Sequence, residues 1–432
     1  MLPFDGNPSG ISPDAYLTLT DASGAANAFR LDKVGDSQPD RDVQYSVDGG
    51  RTWTQYGWTG NTGDSVAVRP YGSVKWRGVN SDFSVSDAAF LHFASDGLYD
   101  VSGNILSLID GKGETRNSPA SNYLFVYLFW KAGVRDASRL LMPVSFGGTY
   151  SCWGMFYGCT TLTAAPELPA ATLAAHCYRS MFSGCTSLVS VQAVLPAATA
   201  VTRCYNAMFS GCASLASAPA IRAAVLGPDC CLNMFNGCTS LVSPPALPAT
   251  TLGTQCYHSM FDGCTSLVNA PELPATTLNT QCYQGMFNRC SSLTTAPELP
   301  ATSLASYCYY GMFAYCTSLS AAPSVLPALS VPNQAYRSMF SHCTSLVAGP
   351  EIMATSFSNA GNGALYSMFN DCPNLSSLTV HFTSWDGSGG SAFSAYWLTG
   401  VAETGTFTCP EGLDTTTRSA STVPEGWNVV NF

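Results

Sequence analysis

The dipeptide Met-Phe recurs nine times along this chain, and its spacing restricts the possible folds more than any other feature. The pairs begin at residues 155, 181, 208, 234, 260, 286, 312, 339 and 368, so they are 26, 27, 26, 26, 26, 26, 27 and 29 residues apart. A unit this short cannot bury its own apolar stripe, whereas stacked copies bury a shared core. The spacing therefore predicts a solenoid of nine repeats over residues 151–380.

The first half of each unit carries apolar residues at the spacing of one helical face. The unit CYHSMFDGCTSLVNAPELPATTLNTQ begins at Cys256, and its residues Cys256, Met260 and Cys264 lie at i, i+4 and i+8. Side chains at this spacing share a face of an α-helix. We therefore predict a short helix in the first half of every coil.

The second half of each unit has a tighter period. Leu267, Ala270 and Leu273 recur every third residue, and Pro271 and Pro274 interrupt the run. Proline excludes a helix interior and removes a donor from a β-ladder. We expect extended chain here, paired in a parallel sheet with two or three residues per strand. The two halves together predict an α/β repeat solenoid of the leucine-rich-repeat type, with a short helix and a short strand per coil.

The template MFxGCTSLxxAPxLPxxxL resembles the BspA-like class of bacterial surface leucine-rich repeats, in which an aromatic-containing turn precedes CxxLxxI and a Leu-Pro pair. The resemblance covers about residues 125 to 410. This chain differs in its 26-residue unit, in Met where Ala is usual, and in proline within the strand. The resemblance implies adhesion or recognition at a bacterial surface without catalysis. Similar arrays also occur in proteins of gut bacteria and their phages.

Charge and cysteine divide the chain near residues 120 to 150. Every Lys and eight of the fourteen Arg precede residue 140, whereas all eighteen Cys lie between Cys152 and Cys409. A solenoid needs polar caps, and the charged segment from Tyr127 to Pro143 is similar to a degenerate coil. We expect a flexible interruption from Gly387 to Gly390. The predicted organisation is an N-terminal tail (1–13), a small all-β sandwich (14–115), a linker with the N-terminal capping coil (116–150), the solenoid (151–380) and a C-terminal cap (381–432).

Alternating segments such as AYLTLT and NAFRLDKV indicate the β-sandwich. The octapeptide SVDGGRTW, from Ser46, fits SxDxGxTW and resembles the Asp-box hairpin of sialidases and other β proteins. That resemblance implies structural roles, in which Asp48 fixes the turn and Trp53 packs beneath it. We favour a spacer that attaches the solenoid to a larger body. The alternative is a glycan-binding module, whose stacking candidates are Trp53, Tyr56, Trp58 and Trp76.

Net charge and the length of the apolar runs argue against two kinds of interaction, nucleic-acid binding and membrane insertion. The chain has 18 Lys+Arg against 28 Asp+Glu, a formal charge of −10, whereas nucleic-acid binding needs clustered positive charge. The longest strongly apolar run, Tyr123 to Trp130, has eight residues, and a membrane-spanning helix needs about 20. The N-terminal sequence MLPFDGNPSG lacks the pattern of a secretory signal. We expect an extracellular, cell-surface or virion location, reached after removal of a leader or as part of a virus particle.

The cysteines form two columns that follow the repeat. On a helix, Cys256 and Cys264 would lie about 12 Å apart, beyond the roughly 7 Å Cα limit for a disulfide, and no CxxC spacing indicates zinc. We predict buried free thiols that pack as small apolar groups, with no metal and no cofactor. The members of the second column assigned this structural role are Cys185, Cys212, Cys238, Cys264, Cys290 and Cys316.

Candidate binding residues lie where the units differ from one another. Packing fixes the template positions, whereas these positions are rich in Tyr, Asn, Gln, Ser, Thr and Arg, a set suited to adaptable contacts. The alternative interpretation is unselected drift on an exposed face. Glu272 and Glu298 occupy equivalent positions in adjacent units, where a solvated pair is favoured over a calcium site. The candidates are Arg179, Arg203, His258, Gln284, Tyr307, Tyr310, Tyr315, Arg337 and His342.

The sequence thus predicts a non-enzymatic recognition or adhesion protein that binds a host or bacterial surface protein, or a glycan, through the variable surface of the solenoid. One alternative is a phage structural protein of a tail or head fibre that binds a receptor. A third is a glycan-active enzyme, suggested by the Asp-box and opposed by the absence of GxSxG, HExxH and P-loop motifs. A homo-oligomer or a larger virion or surface assembly is compatible with each.

Overall fold

The computed structural model describes residues 15–114, 120–357, 363–386 and 393–432. The predicted tail (1–13), the first residues of the predicted linker (116–119) and the run from Gly387 to Gly390 lie outside the described residues. The chain divides into two compact units, Met1–Ala197 and Ala198–Phe432. The predicted domain boundaries stay predictions.

The first unit begins with a β-sheet domain, as predicted. Its strands alternate buried and outward side chains, as in the LTLTD run of Leu17–Asp21. A six-stranded sheet has the order β11-β10-β1-β8-β3-β4, a three-stranded sheet has the order β7-β2-β9, and β5 pairs with β6. The strands are β1 Leu17–Asp21, β2 Asn27–Val34, β3 Gln44–Ser46, β4 Thr54–Gln55, β5 Trp58–Thr59, β6 Thr62–Gly63, β7 Val66–Val68, β8 Ser73–Arg77, β9 Phe90–Ser95, β10 Tyr99–Asn104 and β11 Val134–Leu141, with one helix, α1 Ser107–Asp110.

Aromatic residues form the core of the β-sheet domain. Trp76 is fully buried and Tyr56 is 3% exposed, and the Trp76 ring contacts Tyr56 and Phe93 at centroid distances of 5.1 Å. The suggestion that Trp76 and Tyr56 stack on a glycan is therefore wrong, because neither ring reaches solvent. Trp58 is half-buried and donates its indole N–H to the carbonyl of Leu31 at 2.7 Å.

The turn after β3 is organised by one carboxylate. Asp48 accepts hydrogen bonds from the backbone N–H groups of Arg51 and Thr52 and from the hydroxyls of Ser46 and Thr52, at 2.6–3.0 Å. These bonds hold the pKa of Asp48 well below its usual range, with the Thr52 hydroxyl as the largest cause. Trp53 is half-buried, with its ring against Tyr16 at 4.8 Å and the Arg77 guanidinium 4.1 Å from the ring centre.

Within the first unit, the sheet continues directly into the first turns. The N–H groups of Tyr123 and Phe129 donate to the carbonyls of Thr149 and Met155. The segment predicted as a capping coil therefore forms a separate turn that stacks on the following one. β11 pairs in parallel with β10 on one side, and its residue Asp136 bridges to Ala164 in the next turn.

The predicted helix in each coil is wrong. Among the described residues the sole helix is α1, which has four residues. In the repeats, backbone N–H groups instead alternate between two partners: Met260 donates to Tyr257 three residues back, and Phe261 donates to Met286 in the next turn. Every fourth residue, such as Ser259, has a positive φ, so the backbone makes successive four-residue turns. Side chains four apart still share one face, which explains why the buried set was predicted correctly.

The second half of the repeats forms either very short parallel strands, as predicted, or single β-bridges. Val225–Leu226 pairs in parallel with Thr251–Leu252, and elsewhere single bridges such as Asn269 to Thr295 replace a ladder, because proline supplies no N–H. These strands are β12 Val194–Leu195, β13 Thr199–Ala200, β14 Ala220–Ile221, β15 Val225–Leu226, β16 Thr251–Leu252, β17 Val325–Leu326, β18 Ser330–Val331, β19 Glu351–Ile352 and β20 Ser356–Phe357.

Columns of equivalent residues fill the core of the second unit. Rings of Phe235, Phe261, Phe287 and Phe313 stack face to face at 5.5–5.7 Å, and the tyrosines of the Tyr257 column do the same. The chain ends in a parallel sheet of β21 Ser377–Thr379, β22 Gly405–Cys409 and β23 Trp427–Asn431.

All eighteen cysteines are buried and free, as predicted for the two columns. The second column does more than pack: the Cys264 thiol donates to the carbonyl of Phe235 at 3.1 Å, and the Cys290 thiol donates to that of Phe261 at 3.1 Å. In both pairs the phenylalanine carbonyl thus bonds to a thiol of the next turn. The same bond is made by Cys159, Cys185, Cys238, Cys316, Cys343 and Cys372.

Candidate functional site

In the second unit, each 26-residue turn of the solenoid contains successive four-residue backbone turns, in which two buried side chains alternate with two outward ones. In the solenoid turn that contains Met260, for example, Cys256 and Tyr257 are buried, whereas His258 and Ser259 are half-buried and reach the surface. Below, a turn means one 26-residue turn of the solenoid. Equivalent residues of stacked turns lie side by side, so each outward position forms a column across the surface. The columns equivalent to His258, Ser259, Asp262 and Gly263 are called the outer face below.

A depression of about 360 Å³ lies on the outer face of the second unit. It spans the turns of Met260, Met286, Met312 and Met339, and four of the nine binding candidates line it. Sequence variability therefore pointed to residues that the fold brings together. The lining residues are His258, Ser259, Gln284, Gly285, Asn288, Tyr310, Gly311, Ala314, Tyr315, Ser338 and Ser341.

Two glycines make the floor of the depression deep. Gly285 and Gly311 have φ of 57° and 59°, and the equivalent Ser259 and Ser338 adopt 49° and 52°. The backbone therefore accepts a side chain at this position. A Cβ on Gly311 would meet nothing closer than Ala314, at 4.0 Å. Packing therefore does not require glycine at Gly311, the equivalent serines tolerate its conformation, and its missing side chain opens the floor.

Hydrogen bonds orient the two amide side chains of the depression. The Oε1 atom of Gln284 accepts from Gln281 at 2.9 Å, which leaves the Nε2 group of Gln284 as a donor for a ligand. The Nδ2 group of Asn288 donates to Asp262 at 3.2 Å, which leaves its carbonyl oxygen as an acceptor. Burial lowers the pKa of His258, against smaller opposing effects of Asp229 and Asp262, which favours the uncharged form of its ring.

A ridge of four bulky residues borders the depression, and two of them, Tyr315 and His342, are among the predicted binding residues. The column before the second cysteine holds glycine in five turns and then changes to bulky residues. The Arg289 guanidinium donates twice to Asp262, at 2.9 and 2.8 Å. The Tyr315 ring lies 4.3 Å from His342, whose Nδ1 is 3.2 Å from the Asp371 carboxylate. Arg289 and Asp371 were missed, although the change from glycine in one repeat column was visible in the sequence.

Two further candidates, Arg337 and Tyr307, contact residues near the depression without being part of its lining. The Arg337 guanidinium lies over the rings of Tyr366 and Tyr310, at 4.5 and 5.7 Å, and donates to Gln334 at 3.1 Å. Tyr307 accepts from Gln334 at 3.3 Å and lies 6.4 Å from Tyr310, ring to ring. The tyrosines are therefore held in place by neighbours of the next turn.

The remaining two arginine candidates are engaged elsewhere. Arg203 pairs with Asp229 at 2.8 Å, outside the lining of the depression. Arg179, in the first unit, lies over the Trp153 ring at 4.5 Å. Glu298 accepts from the hydroxyl of Ser324 at 2.8 Å. The described residues contain no group of three or more His, Cys, Asp or Glu arranged to hold a metal ion.

Two solved structures are similar to this chain. One is a leucine-rich repeat protein from Bacteroides ovatus ATCC 8483, with 15% identity, a TM-score of 0.31, and coverage of 67% of this chain and 78% of that chain. The other is a leucine rich cell surface protein from Faecalibacterium prausnitzii A2-165, with 15% identity, a TM-score of 0.31, and coverage of 79% and 97%. No family model and no curated protein matches this chain. In the described part of the chain, no helix has the length and apolar character to cross a bilayer.

Proposed function

We propose that this chain is a non-enzymatic recognition protein of a bacterial or virion surface, which binds its partner at the depression on the outer face. The observation that carries the proposal is the meeting of His258, Gln284, Tyr310 and Tyr315 at one concave site. Concave sites with a few oriented polar groups are the usual places for ligands. The BspA-like repeat template supports the surface setting.

The lining supports binding over catalysis. The eleven residues that line the depression include no carboxylate and no cysteine, and hydrolysis of a glycosidic bond requires a pair of carboxylates in most enzymes. The glycan-active alternative predicts turnover on a glycan panel, lost on replacement of a paired carboxylate. We expect no turnover from the full chain.

Binding is tested with an array of host and bacterial surface proteins and glycans, probed with the full chain. We expect Tyr315→Ala to weaken binding about tenfold or more, as for an aromatic hot spot. Tyr396→Ala is the matched control, because both tyrosines are exposed, at 50% and 57%, and both have a positive φ. Equal loss in the two variants, or no binding by the wild-type chain, would contradict the proposal.

A further inference from the structure

We infer that the depression binds a neutral sugar, one or two pyranose rings at the end of a glycan, with Tyr310 or Tyr315 against the apolar face of a ring. This inference rests on the proposed function and deepens it by naming the ligand class. Four properties of the site carry it: its lack of free charge, its satisfied backbone, its pair of oriented amides and its size.

The first property is electrical neutrality. The lining consists of hydroxyl, amide, aromatic and small side chains with one imidazole, that of His258, whose pKa is lowered by burial. The two nearest guanidinium groups are engaged within the protein, Arg289 by both oxygens of Asp262 and Arg337 by two tyrosine rings and Gln334. An anionic ligand would find no arginine or lysine among the lining residues, and a cationic ligand would find no carboxylate there.

The second property is a backbone with no free groups on the floor. Ser259, Gly285 and Gly311 donate their N–H groups to the carbonyls of Gln284, Tyr310 and Arg337, each at 2.8 Å. An extended peptide that adds as a strand needs unpaired backbone donors and acceptors. The floor offers none at these positions, so recognition depends on side chains.

The third property is the match between the side chains and a polyhydroxylated ring. Gln284 presents a donor and Asn288 an acceptor, each fixed by a partner inside the protein, and Ser259, Ser338 and Ser341 add hydroxyls. Sugar hydroxyls both donate and accept, so they satisfy such a set, while the C–H face of the ring packs on an aromatic side chain.

The fourth property is size. A volume of about 360 Å³ is near the lower end of the ~300–1,000 Å³ range of small-molecule sites. The depression crosses four turns, or three inter-turn spacings of about 4.8 Å, roughly 14 Å in all. This length suits one or two sugar rings and excludes a long buried chain.

The test is a titration of the full chain with neutral mono- and disaccharides, and with sialylated and sulfated counterparts, followed by saturation-transfer NMR at low and high salt. We expect binding of neutral sugars that changes less than about twofold with salt, since screening acts on charged pairs. Gly311→Ser fills the floor with a side chain that Ser259 and Ser338 show to be compatible with the fold. We expect it to weaken binding about tenfold or more.

Ala207→Ser is the matched control, because Ala207 occupies the same column with a φ of 50° and lies outside the depression. Thermal unfolding of both variants checks that they are folded. Preferential, salt-sensitive binding of charged glycans would overturn the sugar inference and leave the proposed function intact. So would Tyr315-dependent binding of a protein without any sugar binding. If the wild-type chain bound no ligand of any class, both the sugar inference and the proposed function would be overturned.

Discussion

At the scale of single residues, many positions of this fold have a left-handed backbone conformation. Non-glycine residues in this region cost of order 1–2 kcal/mol per residue, yet Arg289, Tyr315 and His342 adopt it in successive turns with φ of 60–63°. Five earlier turns use glycine at the same position. A column that replaces glycine with bulky side chains in adjacent turns favours a surface role for those side chains. Tyr315 and His342 were predictable as variable positions, whereas Arg289 required comparison within one column.

A second residue-scale effect concerns acid sensitivity. Burial raises the pKa of Asp21, but hydrogen bonds from Ser23, Tyr71 and Asn27 outweigh it and lower the pKa from 3.8 to about 2. A carboxylate with a depressed folded-state pKa stabilises the protein above pH 3.8, and this stability is lost as the pH falls through about 2.

We therefore expect Asp21→Asn to lower the free energy of unfolding at neutral pH and to differ less from wild type as the pH approaches 2. Urea unfolding at several pH values, followed by near-UV circular dichroism, measures the difference. Asp36→Asn, on an exposed turn, is the control and should leave the profile unchanged. A stability difference that does not vary with pH would contradict this role for Asp21.

At the scale of elements, the repeat could be predicted and the backbone of its first half could not. Cys256, Met260 and Cys264 fit an α-helix of 3.6 residues per turn and a chain of four-residue turns equally well over nine residues. The choice depends on the next turn, because Phe261 donates its N–H to Met286 rather than along its own segment. That partner is 25 residues away and contributes nothing to local periodicity.

The stacked phenylalanines give the element-scale prediction. Phe287 is fully buried, with rings of Phe261 and Phe313 on either side. We expect Phe287→Ala to lower the free energy of unfolding by about 3–5 kcal/mol, the usual cost of a large cavity, as measured by urea denaturation. Leu329→Ala is the control, since Leu329 is 58% exposed and should change stability by less than about 0.5 kcal/mol. A loss of under about 1 kcal/mol in Phe287→Ala would mean that the column relaxes around the gap.

At the scale of the whole molecule, the regular period makes the turns interchangeable. Removal of Cys256–Gln281 joins Gln255 to Cys282, which recreates the Gln-Cys junction found at both places. Neighbour contacts of the remaining turns are then the same in kind, as expected of a solenoid. The 26-residue period of the repeat was predictable because packing holds the template positions constant from turn to turn.

We expect this 26-residue deletion to leave a folded chain with cooperative unfolding, measured by circular dichroism and urea denaturation. Deletion of only Cys256–Val268 should abolish folding of the second unit, because it places outward residues in the core columns. If the two deletions behaved alike, stacking of equivalent positions would not be what organises the second unit.

The thiol-to-carbonyl bonds between turns set a condition on how this protein is made. A folded copy exposes none of its eighteen thiols, whereas an unfolded copy presents all of them to any oxidant. Loops and turns form within microseconds, and disulfides take seconds to hours. The turns of the solenoid must therefore stack faster than their thiols form disulfides. If stacking were delayed, exposed thiols would form non-native disulfides, and the cross-linked chain could not complete its fold.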